Sequence, residues 1–170
     1  KSRGNAKTFI YAWLLGAGNG KVSEILGCSS REAKASVDSF IEFYPGLADL
    51  KRSRIPADAR RGYFVGLDGR LVVQDSEHLM LAGYLQNGEK IIMSRACIQW
   101  HRELRERNIP FRFMNFVHDE WQTAVPDDDD IANIVAEAQI RAIVDQAEQL
   151  NLNVPLAGNA SFGYNWGDTH

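Results

Sequence analysis

At 170 residues the chain suits one domain with a sizeable core, and its 45% hydrophobic and 24% charged fractions exclude a disordered or fibrous protein. A net charge of −3 excludes a global basic field, though local basic patches can still bind nucleic acid. No run is long enough to span a membrane, and Cys28 and Cys97, far apart and in no metal-type spacing, read as reduced thiols of a cytoplasmic protein. The chain opens at Lys1, without methionine, straight into helical periodicity, and is expected to be a piece of something longer. Asn5 to Gly16 reads as a helix stopped by Gly16-Ala-Gly18. A short helix, Lys21 to Leu26, ends at Gly27. Ser29 or Ser30 caps the next, with Ala33, Val37, Phe40 and Ile41 on one face and Pro45-Gly46 as its break. Leu47 to Ala59 reads as helical at first, then basic and irregular around Pro56. Gly62 to Val65 and Arg70 to Val73 flank Leu67-Asp68-Gly69, a hairpin signal. Glu77 to Arg107 reads as a long helix with Gly83 and Gly88 as weak points. Phe111 to Val125 is a second hairpin. Asp127 to Asp130 cap a helix from Ile131 to about Leu150 and oppose its dipole. Val154 to Phe162 reads as a last strand. The order predicts an α+β fold with an antiparallel sheet.

Two stretches carry chemistry. In the first helix Arg3, Lys7 and Tyr11 recur every four residues, which keeps them on one face. Two cations and a phenol in a row suit a nucleotide, with the cations on phosphates and the ring on sugar or base. The same spacing also suits a solvated amphipathic face. In the second hairpin His118, Asp119 and Glu120 sit between apolar runs, with no glycine at the tip. Carboxylates on a stiff hairpin suit a divalent metal, and they equally suit a solvated polar turn. The basic run Lys51, Arg52, Arg54, Arg60 and Arg61 reads either as phosphate contacts or as a solvated loop.

In combination these residues resemble family A DNA polymerases. Arg3-Gly-Asn-Ala-Lys7-Thr-Phe-Ile-Tyr11-Ala-Trp-Leu-Leu-Gly16 resembles the family's fingers helix, with its Arg, three residues, Lys, three residues, Phe or Tyr, then Tyr-Gly. Val117-His118-Asp119-Glu120 resembles its second palm motif. Gly66-Leu-Asp-Gly-Arg70 and the helix through Gln86 are similar to the segment between them, and Asn165-Trp166 to His170 is similar to the family's C-terminus. The resemblance covers essentially the whole chain, in order, and is nearest to phage replicative polymerases. It implies fingers helices over 1–60 and a C-terminal palm portion over 61–170 of a right-hand polymerase that is incomplete in this chain.

The resemblance also implies roles. Lys7 would bind the incoming nucleotide's phosphates and protonate the leaving pyrophosphate, with Arg3 as its phosphate-binding partner and Tyr11 against the sugar. Asp119 would be one of two metal-binding aspartates, with Glu120 a less critical catalytic neighbour. His118 would lie near the primer terminus, and Gln86 and His78 would contact DNA. Leu15 stands where a template-stacking tyrosine is usual, Ala12 replaces a frequent glycine, and Ala82 falls where a DNA-contacting asparagine is usual. The expected reaction is deoxynucleotidyl transfer from a dNTP to the primer 3′ end of a primer–template DNA, helped by two Mg²⁺ ions roughly 3.5–4 Å apart. The family's first palm motif, with the other aspartate, is not in this sequence. A separate N-terminal polymerase chain, with the thumb, is therefore expected as partner, in the host cytoplasm if phage-encoded. Two other readings stay open: an inactive DNA-binding polymerase remnant, and a metal-dependent phosphodiesterase using His118, Asp119 and Glu120.

Overall fold

The computed structural model describes residues 2–74 and 76–169, without the side chains of Ser2 and His78. The chain divides into two compact units, Lys1–Gln86 and Asn87–His170. Among the described residues no helix is long and apolar enough to cross a membrane.

The first unit opens with three helices, α1 (Ser2–Leu14), α2 (Asn19–Leu26) and α3 (Ser30–Phe43). Phe9 and Trp13, one turn apart on α1, are buried with Val22, Ala33 and Val37. Phe40 of α3 meets both rings edge-on, at 5.5 and 5.1 Å between centroids. Gly27 ends α2 with φ +64°, a left-handed conformation that favours glycine. Ser29 caps α3 in a reciprocal box with Glu32, whose carboxyl the Ser29 hydroxyl and backbone N–H hold below its usual range.

The segment expected to turn irregular near Pro56 is helical throughout. It runs as α4 (Pro45–Asp49), a π-helical turn (Leu50–Arg54) and α5 (Ile55–Arg61). Pro56 is the second residue of α5 and follows the π-helical turn, where the Ile55 N–H reaches back to the Leu50 carbonyl. The expected hairpin then forms as β1 (Tyr63–Val65) and β2 (Leu71–Val73), antiparallel, with Phe64 fully buried. The long helix α6 (Glu77–Glu106) passes unbroken through Gly83 and Gly88. Gly83 is a packing feature rather than a weak point, since a Cβ there would stand 3.3 Å from the Phe64 ring.

In the second unit α6 packs with β3 (Arg112–Val117), β4 (Glu120–Ala124) and α7 (Asp129–Gln149). Trp100, Ala96, Leu104, Val135, Ala138 and Ala142 form the buried core, with Phe111, Phe113 and Trp121 against it. A polar ladder adds to the contact between the helices. Buried Gln146 accepts from Arg95 Nε at 3.1 Å and donates to Gln99 at 2.9 Å, and Gln99 donates to Asp145 at 2.6 Å. Asp128 caps α7 as expected of the acidic run, accepting from the N–H groups of Asp130 and Ile131 at 2.9 and 3.0 Å. Asp128→Ala is expected to lower stability by about 1 kcal/mol in urea unfolding, and Asp127→Ala to change it little.

The strand expected over Val154 to Phe162 does not form. The described strands pair only as β1–β2 and β3–β4, so the sheet is two separate antiparallel ribbons. Pro155 lacks an N–H to give a ladder, and the segment instead follows α7, with Gly158 close against Ile140 and Ile143. A 3-10 turn, Trp166–Asp168, closes the described chain, its Asp168 carboxylate accepting from the N–H groups of Tyr164 and Asn165.

Candidate functional site

Burial decides what α1 presents. Residues advance about 100° each around a helix, so the middle of the Arg3–Lys7–Tyr11 row lies about 140° from the Phe9–Trp13 pair. With that pair in the core, Arg3, Lys7 and Tyr11 all face solvent. Lys7 Nζ stands 5.8 Å from the centre of the Tyr11 ring. Among the described residues neither Arg3 nor Lys7 has an acidic partner, so both charges remain available to a ligand. Leu15, the next position along the row, is exposed as well. The row is fixed from behind. Lys51 donates to the Trp13 carbonyl at 2.6 Å and stands 4.2 Å over the Trp13 ring, and burial pushes its pKa down.

The rest of the basic run is partly absorbed. Asp58, 2% exposed, accepts from Arg61 and from the Tyr84 hydroxyl, with Arg54 3.8 Å away. Tyr84 in turn stacks on Phe64 at 4.2 Å and accepts from Arg54 at 3.3 Å. Lys51, Arg54 and Arg61 therefore bind their own chain, and Arg52 and Arg60 face solvent. No sequence signal separated these two groups, because burial of Asp58 depends on α6 lying over α5.

The second candidate group sits at the tip of the β3–β4 hairpin. Val117 pairs with Glu120, which leaves His118 and Asp119 as a two-residue turn. His118 adopts φ +50°, a left-handed conformation in which histidine is enriched among side-chain-bearing residues. That explains a tight turn without glycine. Asp119 is thus a turn residue and not a strand residue, and Glu120 begins β4. His118 and Asp119 are exposed; Glu120 is half-buried and accepts from Gln122 Nε2 at 3.0 Å.

The hairpin's register skips between Phe113 and Asn115, making Met114 the extra residue of a β-bulge. Phe113 and Phe116 consequently both turn inward, although three residues apart. Phe116 pairs across the ribbon with Trp121, and Lys90 of α6 stands over its ring at 4.2 Å. Lys90 was not anticipated, since one lysine in a helical stretch gives no signal. His101 faces Phe111 and Phe113, and burial, with Arg105 nearby, lowers its pKa.

Gln86 is exposed on α6, and the His78 side chain lies outside the described residues. The α1 row belongs to the first unit and the hairpin tip to the second. Among the described residues no three His, Cys, Asp or Glu side chains cluster as a metal cage requires. Asp119 offers one hard oxygen ligand, which does not amount to a complete magnesium site.

The model of DNA polymerase family A matches residues 1–168. The chain belongs to DNA polymerase family A. Among curated relatives, the DNA-directed DNA polymerase of Enterobacteria phage T3 is 30% identical over 189 residues, covering 99% of this chain and 27% of that protein. The DNA-directed DNA polymerase of Escherichia phage Phieco32 is 29% identical, over 99% of this chain and 28% of its own length. The chain thus spans little more than a quarter of these family A relatives. Among solved structures, the polymerase domain of Pol1 from M. smegmatis, in complex with DNA primer–template and dNTP, superposes with a TM-score of 0.70. That match is 20% identical and covers 82% of this chain and 27% of that one, a likeness of fold. The mixture of helices and small antiparallel ribbons is therefore part of a polymerase fold.

Proposed function

We propose that this chain is the C-terminal fingers and palm portion of a template-directed DNA polymerase, with fingers helices over 1–60 and the palm portion over 61–170. The observation that carries this reading is the α1 row: burial of Phe9 and Trp13 leaves Arg3, Lys7 and Tyr11 free on one face, in a chain of this family. Arg3 and Lys7 hold the phosphates of the incoming dNTP. Lys7 offsets charge on the departing pyrophosphate and donates a proton to it, and Tyr11 packs on the sugar. Asp119 supplies one carboxylate at the hairpin tip, with Glu120 beside it. His118 faces the primer end, and Gln86, His78 and Leu15 meet the DNA.

Asp119 is one ligand of a magnesium site whose remaining ligands come from polymerase sequence outside this stretch. Magnesium bound there would stabilise charge on the reacting phosphate. The complementary portion is expected on a separate N-terminal chain, in the cytoplasm of the host.

The test is complementation. The chain alone is expected to extend no primed template, and the chain mixed with an N-terminal polymerase portion to extend it. Asp119→Ala is expected to abolish extension in the mixture without loss of assembly. Robust synthesis by the lone chain, or retained synthesis by the variant, would overturn the reading. Leu15, exposed where the family usually carries a tyrosine, favours a second reading, an inactive DNA-binding remnant. DNA binding without extension in the mixture would support it.

A further inference from the structure

The hairpin lies antiparallel along α6, and this gives Lys90 a particular place. Phe111 rests on Trp100 and His101, with ring centroids 5.3 and 5.0 Å away, while Phe116 rests under Lys90. Five strand residues and eleven helix residues both span about 16 Å, so the two elements keep step. The base of the hairpin is therefore fixed at Trp100 and its tip at Lys90. Phe116 is one cross-strand pair from Val117–Glu120, and the His118–Asp119 turn follows directly.

An acidic tip repels a polyanion. Asp119 and Glu120 set two carboxylates where a nucleic-acid strand would have to approach. Lys90 is exposed, and among the described residues no carboxylate pairs with it. The Phe116 ring positions its ammonium without neutralising it. The remaining cations of this unit lie elsewhere. Arg95 is bound to Gln146, and Arg107 and Arg141 are bound to Glu103, while Arg102 and Arg105 follow Trp100 on α6 and Arg112 starts β3, all three toward the base of the ribbon.

We propose that Lys90 binds a backbone phosphate of the DNA strand held at the hairpin tip. The ring places the ammonium, and the phosphate offsets the tip's negative charge. The inference rests on the polymerase reading above.

The test compares the parent chain with Lys90→Met and Lys90→Arg, each assembled with the N-terminal polymerase portion. Primer–template affinity is measured by fluorescence anisotropy across a salt series. Methionine keeps an apolar stem on Phe116 and removes the charge. Its plot of log affinity against log salt is expected to be shallower by about one, with arginine restoring the parent slope. The dNTP concentration for half-maximal extension is expected to stay unchanged. A methionine variant with the parent slope, or one that shifts only the dNTP requirement, overturns the proposal while leaving the polymerase reading intact. A drop in thermal stability with an unchanged slope would assign Lys90 to packing alone. If the parent assembly shows no salt-dependent DNA binding at all, the polymerase reading and this inference fall together.

Discussion

Lys7→Ala is expected to slow single-turnover nucleotide incorporation by about 10²- to 10³-fold in the assembled polymerase, the usual loss when one preorganised group facing developing charge is removed. The same change should leave the melting of the chain nearly untouched. Lys7 is exposed, has no acidic partner among the described residues, and lies on the face of α1 opposite its buried pair. Alanine is the best helix former, so α1 loses nothing in propensity. A phosphate-binding role and a solvated-face role differ in this one comparison. If Lys7 only solvates the helix, incorporation is unchanged. If it binds phosphates, the rate collapses while the fold stands, and Lys7→Arg recovers part of it because the charge is kept and its geometry altered.

Trp100→Ala is expected to have the largest effect on stability, a loss of about 3–5 kcal/mol. Trp100 is fully buried and meets His101, Phe111, Phe113 and Trp121 at centroid distances of 4.0 to 5.9 Å. Its removal leaves a cavity beneath both strands of the hairpin. Against a typical total of about 5–15 kcal/mol for a domain, such a loss leaves the second unit marginal. Urea unfolding followed by far-ultraviolet circular dichroism measures it, and Trp100→Phe should recover a large part. Polymerase activity should fall with stability, because Asp119 is placed only by the ribbon that Trp100 supports. An alanine variant as stable as the parent would show that the hairpin is held by other contacts.

Helix periodicity, caps and turns were legible because they are local. The cap at Asp128, the Asp68-Gly69 turn and the run of α6 each depend on residues within a few positions of one another. The exposed row on α1 was legible for the same reason, since spacing sets the face and the apolar residues set the buried side. Three features were not legible, and each depends on a distant partner. The helical course through Pro56 needs its packing against β1 and α6, where Ile55 and Asp58 are buried. The segment at Val154 has strand-like residues but joins neither described ribbon, and Pro155 has no N–H to give a ladder. Alternation along Phe111 to Val117 fails at Met114, because a bulge leaves no mark in the order of polar and apolar residues.

That extra residue divides the hairpin into two modules joined by an adjustable coupling. Below Met114 the ribbon is keyed to the protein's interior through Phe113. Above it, Phe116 stands under Lys90 and against Trp121, which links the turn back to Trp100. A simple alternating ribbon would lock the two together, so that any change in reach at one end rotated every side chain at the other. Here the tip can be lengthened, shortened or re-aimed while Phe113 keeps its fit in the interior.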